Sequence, residues 1–164
     1  MRLAACLGRI EHQLELTEKL IPRVTGAHAE VSGWSIGQHL DHCLQVDRSI
    51  LDTISDPPDV KELPPLKMVG RIILATGWIP RGKGRAPAKF EPQEVSTETI
   101  SSGLSETREL LSLTAAEPER LAGKEPIAAH FYFGGFTPAQ WLRFLEVHQN
   151  HHLKIVADIE RRIG

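Results

Sequence analysis

Cysteine is scarce in this chain. Two residues, Cys6 and Cys43, among 164 cannot make a disulfide framework, so a reducing cytoplasm is the expected setting. Long apolar runs are missing too. Stretches such as Arg71-Ile-Ile-Leu-Ala75 fall far short of the ~20 residues that cross a bilayer. Near the start, Arg9 and Glu11 interrupt the brief Leu3–Leu7 stretch before a signal-peptide core can form. No charge of one sign dominates: 19 Lys and Arg against 21 Asp and Glu leave a net charge of −2, without the positive field that nucleic-acid binding needs. Aromatic residues make up 5%, too few for a stacking platform along single-stranded nucleic acid. The chain has no internal repeat and no low-complexity tract. A hydrophobic fraction of 41% and a charged fraction of 24% are ordinary globular usage. Residues 1–164 therefore read as one soluble domain with neither a membrane nor a nucleic-acid partner.

What is abundant is histidine, with eight residues. Three fall within Val147-His-Gln-Asn-His-His-Leu153 and two within Gln38-His-Leu-Asp-His-Cys43, while His12, His28 and His130 stand alone.

Periodicity places both clusters on helices. Residues 3–21 carry Leu3, Leu7, Ile10, Leu14 and Leu16/Leu20 at helical steps, and Pro22 stops the pattern. Residues 22–33 read as a loop. A second helix starts near Ser35, an N-cap with Gln38 as capping-box partner, and runs through Ile54 to the break at Pro57-Pro58. Residues 56–66 hold four prolines and form a surface linker. Leu66–Trp78 is apolar, but its period does not choose between helix and strand. Residues 79–94, rich in Pro, Gly, Arg and Lys, read as an irregular excursion. A third long helix covers 97–114, and residues 115–136 are mixed. The last helix has Thr137 as N-cap, Pro138 at the first helical position and Gln140 closing a capping box. Four long amphipathic helices predict an all-α, four-helix bundle with one excursion between the second and third.

On the last helix His148 and His152 lie at the centre of the apolar stripe formed by Trp141, Leu145, Ile155 and Ile159. Two imidazoles four residues apart share a face, and both can reach one ion at roughly 2.0–2.1 Å. The competing reading is a pair of core histidines satisfied by hydrogen bonds, which is costlier to bury without a shared partner. His151 lies at the edge of the stripe. A third ligand must come from the second helix, which offers His39, His42 and Cys43. Cys43 reads as a small buried hydrophobe. Periodicity leans towards His39, and spacing does not choose between the two histidines. Asp47, on the apolar side of that helix, can orient a ligand or accept a core hydrogen bond. His130 and Tyr132 are candidate pocket residues, with loop packing as the alternative.

Gly33-Trp-Ser-Ile-Gly-Gln-His-Leu-Asp-His-Cys43 resembles the segment of the DinB/YfiT-like superfamily that opens with Trp-Ser/Thr and reaches a metal-binding histidine eight residues past the Trp. Phe136-Thr-Pro-Ala-Gln-Trp141 followed by His148-Gln-Asn-His-His152 resembles the second signature of that family. His130-Phe-Tyr-Phe-Gly-Gly-Phe-Thr137 is similar to a stretch in one uncharacterised branch. The resemblance spans nearly the whole chain and implies a metal site at His42, His148 and His152. It also implies a divalent zinc or nickel ion, a four-helix bundle, often a homodimer, and a small-molecule substrate. For activity it implies a thiol-dependent S-transferase using a low-molecular-weight thiol, or a hydrolase. A non-catalytic metal or small-molecule binding protein is the alternative. Three neutral imidazoles suit catalytic rather than structural metal sites, because they leave the ion its charge and an open position.

Two further signals are weaker. Gly77-Trp-Ile-Pro-Arg-Gly-Lys83 matches seven positions of a phosphate-binding loop, but Gly84 replaces the required Ser or Thr and Pro80 removes an amide donor. Arg81, Lys83, Arg85 and Lys89 make a basic loop that reads as a solvated surface segment, or else as a flap for an anionic substrate.

Overall fold

The computed structural model describes residues 3–82, 84, 86–93 and 95–164. Its long helices are α1 (Leu3–Leu20), α2 (Ile36–Ser55), α4 (Thr97–Ala115) and α6 (Pro138–Ile163). Between them lie the shorter α3 (Met68–Thr76) and α5 (Pro118–Leu121) and a hairpin of β1 (Ala128–His130) and β2 (Gly134–Phe136). The all-α expectation holds, with the small hairpin as an addition.

Side-chain partners show how the helices run. Cys6 meets the Leu142 carbonyl and Arg23 meets Glu160, so α1 and α6 are parallel. Gly37 lies against Val95 at one end, and Arg120 reaches the Ile54 and Ser55 carbonyls at the other, so α2 and α4 are parallel. His39 meets His152 and His42 meets His148, so α2 and α6 are antiparallel. The order is up, down, down, up. Two neighbouring parallel helices need a connection that returns the length of the bundle, about 30 Å for the 20 residues of α2. Residues 56–96 make that return, which is why the irregular excursion is long.

The core between the four helices is built on Ile10, Leu14, Leu51, Leu104, Leu142 and Leu145, all buried. A polar link also joins α1 to α6. Burial works against the charge of Glu146, but hydrogen bonds from Arg9 at 2.7 Å and Arg143 at 2.6 Å prevail and hold its carboxyl below the usual range.

Three elements differ from the expected reading. The first helix ends at Leu20, and Pro22 sits in a 3-10 turn over Ile21–Arg23, where its missing N–H costs nothing. The undecided piece 66–78 contains the helix α3, closed by Gly77 in the left-handed conformation at φ 66°. The mixed segment 115–136 contains α5 and the hairpin. That hairpin is pinned to the proline linker: Gly135 N–H donates to the Pro64 carbonyl at 2.8 Å, and Lys67 N–H to the Phe133 carbonyl at 2.8 Å. Among the described residues no helix is long and apolar enough to cross a membrane.

Candidate metal centre

Both helices that carry the histidine clusters start at fully formed capping boxes. Ser35 accepts from Gln38 N–H and its own N–H donates to the Gln38 side chain, and Thr137 and Gln140 do the same at the head of α6. The caps fix where each helix begins, and helical spacing then sets which face each histidine takes.

His148 and His152 sit one turn apart on α6, with ring centroids 4.7 Å apart. From α2, His42 places Nε2 at 3.2 Å from Nε2 of His148. One ring nitrogen from each of the three lies within 4.8 Å of the others. Tetrahedral binding at 2.0–2.1 Å separates ligand atoms by about 3.3 Å, so the His42–His148 edge already has the required length. His42 and His152 are buried, and His148 is partly open.

Each ring is also held from behind, except one. His42 Nδ1 donates to the Phe90 carbonyl at 2.8 Å, which turns the bare Nε2 towards the other two histidines. His152 Nδ1 lies 2.9 Å from His39 Nδ1, and His39 Nε2 lies 2.9 Å from the Ser32 hydroxyl. His148 Nδ1 is buried without a partner among the described residues. Trp34 walls the cluster: its ring is 5.1 Å from His42 and stacks on His152 at 6.2 Å between centroids.

Burial pushes all three histidines below the ordinary imidazole range. For His148 and His152 the shift is large, and neighbouring histidines add to it. For His42 burial is partly offset by the Phe90 hydrogen bond. Neutral imidazole is the form that binds metal, so the electrostatics prepare the ligands rather than oppose them. Three neutral nitrogen donors in this arrangement can hold a divalent ion.

The remaining expected residues take other places. His39 is buried next to the cluster, one hydrogen bond behind His152, and is not in the group that can share an ion. Cys43 is a free, buried thiol pushed up by burial, in keeping with its reading as a small hydrophobe. Asp47 is fully buried and accepts from the Gln149 amide, away from the ring nitrogens. Its other oxygen, Oδ1, has no partner among the described residues, and neither does Gln149 Oε1. Burial pushes the Asp47 carboxyl well up, towards its neutral form. His130 is buried among Phe133, Phe136 and Phe144, and its Nδ1 accepts from Tyr132 N–H at 3.1 Å, which closes the hairpin turn. Tyr132 is about half exposed at that turn. His151 is half-buried at the stripe's edge, its ring 5.0 Å from that of His152.

The phosphate-loop match also dissolves. Gly77 caps the end of α3, with its N–H on the Ile73 carbonyl, whereas a phosphate cradle follows a strand and opens a helix. Of the basic loop, Arg81 pairs with Asp158 at 2.7 Å and Lys89 lies 4.4 Å over the Phe90 ring; Lys83 and Arg85 lie outside the described residues. Sequence reasoning missed the Phe90 carbonyl, which no side-chain pattern announces. It also missed the link from His152 through His39 to Ser32, although His39 had been weighed as a ligand.

A helical bundle with up-down-down-up order and a three-histidine cluster between its second and last long helices defines the class. The chain belongs to the DinB superfamily, whose family model matches residues 10–156. It is similar to the uncharacterized protein YuaE of Bacillus subtilis (strain 168), 26% identical over 132 residues that cover 79% of each chain. No solved structure matches.

Proposed function

We propose that the protein is a metal-dependent enzyme acting on a small molecule, with a zinc or nickel ion held by His42, His148 and His152. The observation that carries the reading is the convergence of three neutral ring nitrogens within 4.8 Å, from helices far apart in sequence. A divalent ion held by three imidazoles keeps its full charge and an open position, and so lowers the pKa of a bound water or thiol. The protein's own part is orientation and shelter. Phe90 aims His42, Trp34 covers His42 and His152, and His148 is the least buried of the three.

Thiol-dependent S-transfer, with a low-molecular-weight thiol as co-substrate, is the favoured reaction, and hydrolysis the second. In this reading the protein is cytoplasmic and works as a homodimer. One observation favours a non-catalytic metal-binding protein instead: no carboxylate joins the three histidines among the described residues. Metal analysis of protein purified without an affinity tag tests the site. A stoichiometric divalent ion is expected, and it is lost in both His42→Ala and His148→Ala. An ion retained at full occupancy by either variant would sink the assignment.

A further inference from the structure

We infer that His39 is a positioning residue for this centre: it accepts the Nδ1 proton of His152 and passes the hydrogen bond on to Ser32. The inference rests on the metal reading above. Its starting point is the 2.9 Å contact between the two Nδ1 atoms. One of them must donate and the other accept. If His39 donates, the proton of a neutral His152 sits on Nε2, and that nitrogen has no lone pair for an ion. If His152 donates, its Nε2 is bare. His39 must then carry its own proton on Nε2, which lies 2.9 Å from the Ser32 hydroxyl oxygen. The direction of one hydrogen bond thus decides whether His152 can serve as a ligand; the Ser32 hydroxyl can accept the His39 Nε2 proton, and an ion that needs a bare His152 Nε2 selects that direction.

The surroundings hold this chain in place. The Ser32 hydroxyl oxygen also accepts from Trp34 N–H at 3.1 Å, which ties it to the residue that walls the centre. The Trp34 ring meets His39 edge-on at 5.3 Å between centroids. His39 is 3% exposed, so water does not compete for either nitrogen. Its Nδ1 is taken by His152 and its Nε2 by Ser32, so neither nitrogen is free for an ion, which is why a residue that periodicity favoured as a ligand is not one. His42 has the same kind of support from the Phe90 carbonyl, but only the His39 support is a side chain and open to substitution.

The test compares untagged wild-type protein with His39→Ala, His39→Asn and Ser32→Ala. Zinc affinity is read by competition with a chromophoric chelator, ligand geometry by the visible spectrum of cobalt(II) in place of zinc, and folding by melts of the metal-free proteins. Loss of the acceptor in His39→Ala is expected to weaken zinc binding about 10–100-fold and to alter the cobalt spectrum. Asn offers its Oδ1 near the place of the lost Nδ1 and is expected to restore most of the affinity. Ser32→Ala is expected to fall between Ala and wild type. Unchanged affinity in His39→Ala, or an Asn variant as weak as Ala, overturns the proposal. Total loss of the ion in His39→Ala, as in His148→Ala, means that His39 is a ligand and overturns it too. If the Ala variant does not fold, the other two decide: Ser32→Ala at wild-type affinity overturns the proposal, and Ser32→Ala weakened beside a near-normal Asn variant supports it. A wild-type protein that binds neither zinc nor cobalt overturns the metal reading itself, and this proposal with it.

Discussion

Asp47 and Gln149 face one another inside the bundle with an orphaned oxygen each, and burial drives the Asp47 carboxyl towards its neutral form. A group whose pKa is raised on folding contributes stability that is complete below its unfolded value, near 3.9, and that is lost as pH climbs towards the folded value. Asp47→Asn keeps the shape and removes the titration. The expected result is a gain of about 1–3 kcal/mol at pH 8, shrinking at pH 5, read by chemical denaturation. A loss of stability at pH 8 would show that the carboxylate is better served than its burial implies. At this scale the sequence was legible in part. His39 and His42 are buried almost equally, 3% and 4% exposed, so no hydrophobic wheel could separate them. What separates them is the partner behind each ring, Ser32 in one case and the carbonyl of Phe90 in the other.

The helices were readable wherever their signals are local. Ser35 with Gln38 and Thr137 with Gln140 act across three residues, and both boxes stand where the residue pattern put them. α3 and the hairpin escaped because distant partners stabilise them: Arg143 of α6 donates to the Leu74 carbonyl at 3.1 Å, and Pro64 takes the Gly135 N–H. Gly134 shows how tight that junction is. Its φ is 88°, and a Cβ there would collide with the Pro65 carbonyl. Gly134→Ala is therefore expected to cost about 1–3 kcal/mol and to lower the melting temperature, while Gly8→Ala, inside α1 and meeting nothing, is expected to be neutral or slightly stabilising. Equal melting of Gly134→Ala and wild type would mean that the hairpin is not docked on the linker.

For the whole molecule, acid is the revealing variable. Burial lowers His39 and His130 to about 4 and shifts the three candidate ligands downwards as well. Groups depressed on folding in this way bind fewer protons folded than unfolded. Their contribution is complete above the unfolded value near 6.5 and drains away as pH falls towards the folded values. The metal-free bundle is expected to lose stability between pH 6.5 and about 4. A bound ion adds about 4 kcal/mol at a thousandfold excess over its Kd, and protons compete with it over the same range. Melting curves with metal and with chelator from about pH 4 to 8 check both statements. Identical curves at pH 7.5, on protein shown to hold the ion, would mean that it sits elsewhere.

The distance along the chain between His42 and His148, 106 residues, bears on how the protein is made. During synthesis α2 leaves the ribosome long before α6 exists, and at 5–20 residues per second the gap lasts on the order of ten seconds. In that interval the nascent chain offers His42 and neither of the other two histidines of the cluster. The three-histidine cluster must await α6. The same helix supplies most of the packing surface for α1. α1 therefore spends its early life without its partner, and the closing of the bundle and the assembly of the three-histidine cluster are one event, set by the emergence of α6.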